Sequence, residues 1–341
     1  MIEHQLIEPS PLTQLQMSRS SSIYDLYLHN LKKYPREDAV LRTRDFILSR
    51  FPMDIDEQIV CLEFFYMNDF FEDLAVILHS PYIKNEVKYL YELMHQRVKT
   101  PVTKEQLYEL SRVQFSHPSL HCLQLFLLVY SYYDLKIYTA LDKYLEDCDQ
   151  ALRAVNEPLM YYYLNQRYQE LLFHHYWKTD NSILASRYAY KMINAELSPR
   201  RKSRMYHILS LCQLFNGYES AMDPLNKALE IAEAQQLQSF VTSINHHTLP
   251  FIAAFHQRTE DVFTPDPIEN AHLALANGDY KTTRKTLQSL TTLTPFQESY
   301  LGLATYDSRM LENSYKRFIH ERGDHFFARI PLEYMKRMKT N

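Results

Sequence analysis

Hydrophobic residues recur along this chain at the spacing of amphipathic helices. One face of the segment 87–98 carries Val87, Leu90, Tyr91, Met94 and Val98, and one face of 225–234 carries Leu225, Ala228, Leu229 and Ala232. Positions three and four residues apart share one side of a helix, whereas the side chains of a strand alternate. Strict alternation of apolar and polar residues over the length of a strand is hard to find. The one candidate for an extended segment, 251–255, is short. The pattern predicts an all-α fold.

Five segments share one arrangement, in which a helix ends at a short polar turn and a second helix follows. They are residues 66–78, 131–145, 178–192, 215–229 and 276–290. The turn contains Asn, Asp or Gly, and small residues such as Ala185 and Ala189 follow it, which lets two helices approach closely. This arrangement is typical of tetratricopeptide-like helical hairpins, here degenerate in spacing. The alternative is an all-helical bundle without repeats.

Prolines suggest where the repeats are interrupted. Pro250, Pro265 and Pro267 bound a stretch without the repeat pattern, and Thr264-Pro265-Asp266 is typical of a turn. We expect four parts, which are an N-terminal segment (1–33), helical repeats (34–250), a Pro-rich linker (251–267) and C-terminal repeats (268–341).

Composition and charge exclude several classes of function. The 341 residues include only 4 glycines, and no G-x-G-x-x-G, P-loop or G-x-S-x-G motif is present. No nucleophile–base arrangement stands out, so we predict that the protein is not an enzyme. The net charge of −4 argues against a protein that coats nucleic acid.

Cysteine and histidine spacing predicts neither a disulfide framework nor a metal site, and no cofactor is expected. The four cysteines (Cys61, Cys122, Cys148 and Cys212) are far apart and are typical of buried thiols in a cytosolic protein. Adjacent histidines, as in His174-His175, point in different directions on a helix, so they do not form a ligand pair. There is no signal-peptide pattern, and the most apolar run is too short to cross a membrane. We predict a cytosolic protein.

Two segments are candidates for binding. Ser198 and Pro199 are suited to begin a helix whose first turns contain Arg200, Arg201, Lys202 and Arg204. Cations at that end oppose the helix dipole, so either an anionic partner relieves the cost or the cluster is a solvated face. The Tyr-rich helix around 160–177 contains the polar candidates Asn165 and Arg167, since Tyr suits a concave binding face.

The ending "GDHFFARIPLEYMKRM" resembles the C-terminal signature of the AimR family, the arbitrium peptide receptors of Bacillus phages. Further short likenesses are "ENSYKRF", "ENAHLALANGDY", "LFNGYESA", "YMNDFFEDLAVI" and "KKYPREDAVLRTRDFIL", so the resemblance extends from about Tyr34 onward. It implies a superhelical array of repeats with a C-terminal capping helix, which clasps a short linear peptide and controls the choice between lysis and lysogeny.

The resemblance also implies roles for individual residues. Arg200 would bind the carboxylate of the peptide, Asp324 would bind its amine, and Phe326 would line the groove. Gly323 would allow the turn that presents Asp324. His175 and Leu211 stand where the family has Asn. Leu211 loses the polar contact of that Asn, whereas His175, Arg204 and Asn165 complete the predicted peptide-binding site with Arg200, Asp324 and Phe326.

The resemblance leaves the downstream partner open. Only about thirty residues precede the Tyr-Pro of "KKYP", so residues 1–33 are expected to be a remnant of the DNA-binding head of the family. A protein target, reached through an interaction scaffold without DNA binding, and a DNA target both remain alternatives. The Leu-rich tail with which members dimerise is absent after "KRMKTN", and a homodimer therefore stays open.

Overall fold

The computed structural model describes Leu12, Met17 and residues 20–50, 52, 54–195 and 198–340. Every regular element among these residues is helical, which confirms the all-α prediction. The chain forms two compact units. The first comprises 1–136, 140–171 and 194–198, and the second comprises 137–139, 172–193 and 199–341, each within the described residues.

The first unit contains eight helices and the first part of a ninth among its described residues. They are α1 (Ser22–Lys33), α2 (Arg36–Ser49), α3 (Ile55–Met67), α4 (Phe71–Leu78), α5 (Asn85–Arg97), α6 (Lys104–Arg112), α7 (Pro118–Asp134), α8 (Ala140–Arg153) and α9 (Pro158–Lys178). Helices adjacent in the sequence pack against each other, as α1 does on α2 and α7 does on α8. This local packing is what stacked hairpins require.

The second unit begins with the end of α9 and continues to the last helix. Its helices are α10 (Ser182–Asn194), α11 (Pro199–Cys212), α12 (Tyr218–Ala234), α13 (Gln238–Ser243), α14 (Leu249–Phe255), α15 (Pro267–Ala276), α16 (Tyr280–Gln288), α17 (Pro295–Thr305), α18 (Ser308–Arg317) and α19 (Arg329–Thr340). Two π-helical turns, Ile244–Thr248 and Phe318–Arg322, precede α14 and follow α18. Neighbouring helices again pack in sequence order.

The turns between paired helices repeat one backbone geometry. Asp69, Asp180 and Gly278 have φ of 62°, 62° and 79°, in the left-handed region. The residue that follows each of them donates its N–H to a carbonyl five positions back, at 2.9, 2.8 and 2.8 Å. This is the Schellman pattern, which satisfies carbonyls left free at the end of a helix. The turns lie where the sequence pattern placed them.

The segment expected to be a Pro-rich linker is helical in its first part. Pro250 lies in the first turn of α14, and residues 251–255 are all buried. A proline inside a helix loses one hydrogen bond and crowds the carbonyl four residues back. The π-helical turn directly before α14 widens the helix there and accommodates that crowding. Burial of these apolar residues therefore makes the segment a helix, neither linker nor extended piece, while 257–266 connects α14 to α15.

Candidate functional site

The second unit contains an open cavity of about 430 Å³. Its walls come from α11, the π-helical turn before α14, α14 itself, the N-terminal ends of α15 and α17, and the turn before α19. The lining residues are Leu211, His247, Thr248, Phe251, Asp266, Ile268, Glu269, Thr294, Phe296, Gln297, Tyr300 and Phe327. A concave, largely apolar surface with a few polar groups is typical of a ligand site.

Three phenylalanines form the apolar floor of this cavity. The ring centroid of Phe296 lies 5.0 Å from that of Phe327 and 5.9 Å from that of Phe251. Phe251 and Phe327 are 6.1 Å apart, and all three pairs meet edge to face. Such a cluster is rigid and presents a broad apolar surface to a ligand side chain.

Two carboxylates at the start of α15 form the polar side of the cavity. Asp266 caps this helix, because its Oδ1 accepts the N–H groups of Ile268 and Glu269, both at 2.9 Å. Its Oδ2 lies 3.6 Å from Nδ1 of His247. Glu269 has its Oε2 buried without a hydrogen-bond partner among the described residues. Because this oxygen is enclosed by the protein, a ligand in the cavity meets Glu269 only at the part of its side chain that is exposed, 16% of the surface.

His272 lies behind Glu269 and is itself buried. Its Nδ1 is 3.6 Å from Oε2 of Glu269, and its Nε2 is 2.6 Å from the hydroxyl of Tyr334. The imidazole stacks on Tyr300 with the ring centroids 3.9 Å apart. Burial lowers the pKa of His272, although Glu269 opposes this effect. His272 therefore binds a proton less readily than a free imidazole, and it lies directly behind the carboxylate of Glu269.

A further histidine, His207, lies beside the cavity and contacts its lining residue Thr248. Nε2 of His207 on α11 lies 2.6 Å from Oγ1 of Thr248, the last residue of the π-helical turn. Burial, assisted by the positive charge of Arg204, lowers the pKa of His207 to about 4. The imidazole is therefore neutral at pH 7 and fixes the position of Thr248 by a hydrogen bond. π-helical turns are frequent at functional sites, and this one forms part of the cavity wall.

Comparison with known proteins decides the family. Residues 46–337 match the family described as AimR transcriptional regulator-like. The chain belongs to this family. An uncharacterized protein of Bacillus anthracis, pXO2-35, is 24% identical over 237 residues, which are 63% of this chain and 83% of that protein.

Two solved AimR structures have the same fold as this AimR-like chain. The structure of phAimR with its ligand superposes with a TM-score of 0.75 at 15% identity, and covers 91% of this chain and 96% of that one. The structure of selenomethionine phAimR gives a TM-score of 0.63 at 15% identity, with 91% and 84% covered. The family and the helical-repeat fold that the sequence indicated are thus confirmed.

The structure places the predicted AimR-type residues in different surroundings. Arg200 and Arg204 lie in the first turns of α11, with Arg204 exposed and the guanidinium of Arg200 5.8 Å from the ring of Phe240. His175 and Asn165 are half-buried on α9. Asn165 belongs to the first unit, whereas the other predicted site residues belong to the second.

The two residues from the C-terminal signature have partners of their own. Asp324 is 2% exposed, and its carboxylate bonds to the ammonium of Lys178 at 2.8 Å. Phe326 packs in the core, where its ring lies 4.9 Å from that of Phe215 and 5.9 Å from that of Trp177. The adjacent Phe327 lines the cavity in its place.

Sequence reasoning missed the acidic side of the cavity. The sequence pattern places Asp266 in a turn and indicates no role for Glu269. The signal available was "TPDPIEN", in which Asp precedes Pro at the start of a helix and Glu follows in its first turn. That signal predicts a helix start, but it does not show that the carboxylates face a cavity.

Within the described part of the chain, no group of three or more His, Cys, Asp or Glu side chains is placed to bind a metal ion. None of the helices described is both long enough and apolar enough to span a membrane.

Proposed function

We propose that this AimR-like chain is a receptor for a short linear peptide, which binds in the cavity of the second unit. The observation that supports it is the cavity itself, where a floor of three phenylalanines adjoins the carboxylates of Asp266 and Glu269. The related phAimR has been solved with a ligand, which agrees with a ligand-binding role for this fold.

The two sides of the cavity fit two kinds of group on one peptide. The phenylalanine floor and Leu211 suit an apolar side chain. Asp266 and Glu269, whose carboxylate side chains line the cavity, suit a positively charged N–H group from an amine or a guanidinium. Charge-assisted hydrogen bonds of this type are about twice as strong as neutral ones.

Helix α11 supplies a way to bind the opposite end of the peptide. Arg200 and Leu211 are separated by about three helical turns, so they share one face about 16 Å apart along the axis. Arg204 and His207 lie between them on the same stripe. An extended chain of about five residues spans that distance. A peptide of five or six residues would then meet cations at its carboxylate end and carboxylates at its cationic group.

Peptide binding is proposed to regulate the affinity of the receptor for a downstream target, and so the choice of a phage between lysis and lysogeny. A ligand shifts such an equilibrium only if it binds the two states of the receptor unequally. The target is a protein or DNA, and salt distinguishes them, because binding to DNA releases counterions and therefore weakens steeply as the salt concentration rises.

The test is a titration of the purified protein with a library of short peptides. Binding is monitored through the fluorescence of Trp177 and through the temperature of thermal unfolding. Selective stabilisation by one or two peptides supports the receptor. Glu269→Gln should then weaken the binding of the selected peptide by about 1.5–3 kcal/mol, if Glu269 pairs with a cation of that peptide. Glu260→Gln, which alters an exposed glutamate outside the cavity, is the matched control. A flat response across the library contradicts the proposal and favours the alternative of a protein–protein interaction scaffold that acts without DNA binding.

A further inference from the structure

The turn before α19 is fixed by a buried ion pair. Lys178, the last residue of α9, and Asp324 are only 6% and 2% exposed at their side chains. Nζ of Lys178 donates to Oδ2 of Asp324 at 2.8 Å, while Oδ1 of Asp324 accepts the backbone N–H of Phe327 at 3.0 Å. The backbone contributes too, since His325 donates its N–H to the carbonyl of Lys178 at 2.8 Å.

The ammonium of Lys178 lies among three aromatic rings. It is 3.8 Å from the ring centroid of Trp177, 4.3 Å from that of Phe327 and 4.5 Å from that of Tyr138. Cations are attracted to aromatic faces, most strongly where water is excluded. The pair therefore compensates its burial by a short salt bridge and by ring contacts, and one of those rings belongs to the ligand cavity.

Phe327 connects this ion pair to the ligand. One contact of its ring is the ammonium of Lys178, and others are Phe251 and Phe296 in the cavity floor. Its backbone N–H is fixed by the carboxylate that pairs with the same ammonium. Loss of either charge leaves the other buried without its partner, which is costly and favours a rearranged turn.

We propose that Lys178 and Asp324 are positioning residues for ligand binding, in which the chain supplies its own amine to Asp324 and thereby fixes Phe327 in the cavity floor. This inference rests on the proposed peptide-receptor function. It differs from the role that the resemblance implied for Asp324, because the amine bound by this carboxylate is Lys178 of the same chain. The cationic group of the peptide is then left to Asp266 and Glu269.

The experiment compares Lys178→Met, Asp324→Asn and the double variant, each with a free peptide and with its N-acetylated form. Asp324→Asn keeps an oxygen for the N–H of Phe327, and Lys178→Met keeps the length of the side chain. We expect each single variant to bind both peptide forms about tenfold more weakly, by equal factors. The double variant, in which neither charge remains unpaired, should recover to within about threefold of the wild type.

Trp177 gives a readout that does not need the peptide. It is the only tryptophan of the chain, and the ammonium of Lys178 lies against its ring. The emission of the free protein should shift in Lys178→Met and stay unchanged in the control Lys316→Met, which removes an exposed cation paired with Glu312. Circular dichroism checks that each variant is folded, and the double variant covers the case in which a single variant is not.

Three results would overturn the inference. The first is a loss of affinity in Asp324→Asn for the free peptide alone, because this would show that Asp324 binds the ligand amine. The second is tighter binding of the free peptide by Lys178→Met, which would mean that Lys178 competes with the ligand. The third is unchanged Trp177 emission in Lys178→Met, which would disprove the pair itself. If the wild type bound no peptide, the proposed function would be wrong. The Trp177 emission of Lys178→Met would still test the ion pair between Lys178 and Asp324.

Discussion

At the scale of single residues, two groups of charged side chains in the second unit bear on the proposed ligand. Arg200 and Arg204 lie in the first turns of α11, and Asp266 and Glu269 lie at the start of α15. A zwitterionic peptide complements these two groups if its carboxylate meets the arginines. Electrostatic complementarity of this kind fixes the direction in which a ligand binds.

Arg200→Ala should weaken binding of the peptide by about 1.5–3 kcal/mol, because a charged hydrogen bond is lost. The loss should vanish for a peptide whose C-terminus is amidated, since that peptide has no carboxylate. Calorimetry measures both affinities. Lys285→Ala, which removes an exposed cation from α16, serves as the control. Equal losses for the acid and the amide would contradict the assignment of Arg200 to the carboxylate.

His207 makes the stability of the fold depend on pH. Its pKa is about 4 in the folded protein and 6.5 when unperturbed. As the pH is lowered, His207 is therefore protonated in the unfolded chain before it is protonated in the folded one. Stability is therefore complete above about pH 6.5 and falls as the pH drops towards 4, by about 2–3 kcal/mol. Below pH 4 both states are protonated and His207 contributes no further loss.

Urea unfolding at several pH values between 7 and 4 tests this dependence. His207→Gln retains a hydrogen-bonding group for Thr248 but does not titrate, so its stability should fall less over that range. Some slope remains, because burial also lowers the pKa of His272. His320→Gln, at an exposed position, should keep the slope of the wild type. Parallel curves for His207→Gln and the wild type would disprove the prediction.

At the scale of elements, the turns decide where each helix ends. Gly278 and Gly323 both have positive φ, of 79° and 67°. They differ in surroundings, because a Cβ on Gly278 meets no atom within 4 Å, whereas a Cβ on Gly323 collides with the side chain of Thr139. The two glycines therefore form a matched pair that separates backbone strain from packing.

Gly278→Ala should destabilise the protein by about 1–2 kcal/mol, which is the cost of a left-handed conformation for an L-residue. Gly323→Ala should cost about 1–3 kcal/mol more, because the added methyl overpacks a filled site. Chemical denaturation measures both losses. Thr139→Ser removes the methyl group with which the new Cβ collides. In the Gly323→Ala background it should therefore recover part of the additional loss of stability. Equal losses of stability at the two glycines would show that the side chain of Thr139 moves aside without a loss of free energy.

At the scale of the whole molecule, contacts between distant parts of the chain fix the core of each unit. In the first unit, Arg167 of α9 binds Glu63 of α3 through two hydrogen bonds of 2.6 and 3.2 Å. The two side chains are 4% and 0% exposed. Tyr91 donates its hydroxyl to the same carboxylate at 3.0 Å, and Tyr66 covers the guanidinium.

Arg167→Met should destabilise the protein by about 3–5 kcal/mol, because Glu63 remains buried without its counter-charge. The double variant Arg167→Met with Glu63→Leu should recover most of this loss, since both charges are gone and the volume is similar. Urea unfolding of the four proteins provides the double-mutant cycle. A double variant no more stable than Arg167→Met would mean that the pair contributes through packing and not through charge.

The sequence alone determined the helical class, several of the turns and the family of this protein. These features depend on interactions between residues a few positions apart, such as the helical spacing of apolar residues, the left-handed turns at Asp69 and Asp180, and helix caps. The signature near Phe326 and Pro331 is likewise a local pattern. Such signals are therefore present in the sequence before the chain folds.

Only the tertiary structure decided which residues form the cavity. Phe327 lines it and Phe326 does not, although the two are adjacent, and the partner of Asp324 is Lys178, which lies 146 positions away in the chain. Residues 251–255 became a helix because burial outweighed the proline next to them. Each of these outcomes depends on contacts between distant segments. Local propensities do not contain that information, because the packing of the folded chain selects among the alternatives that they allow.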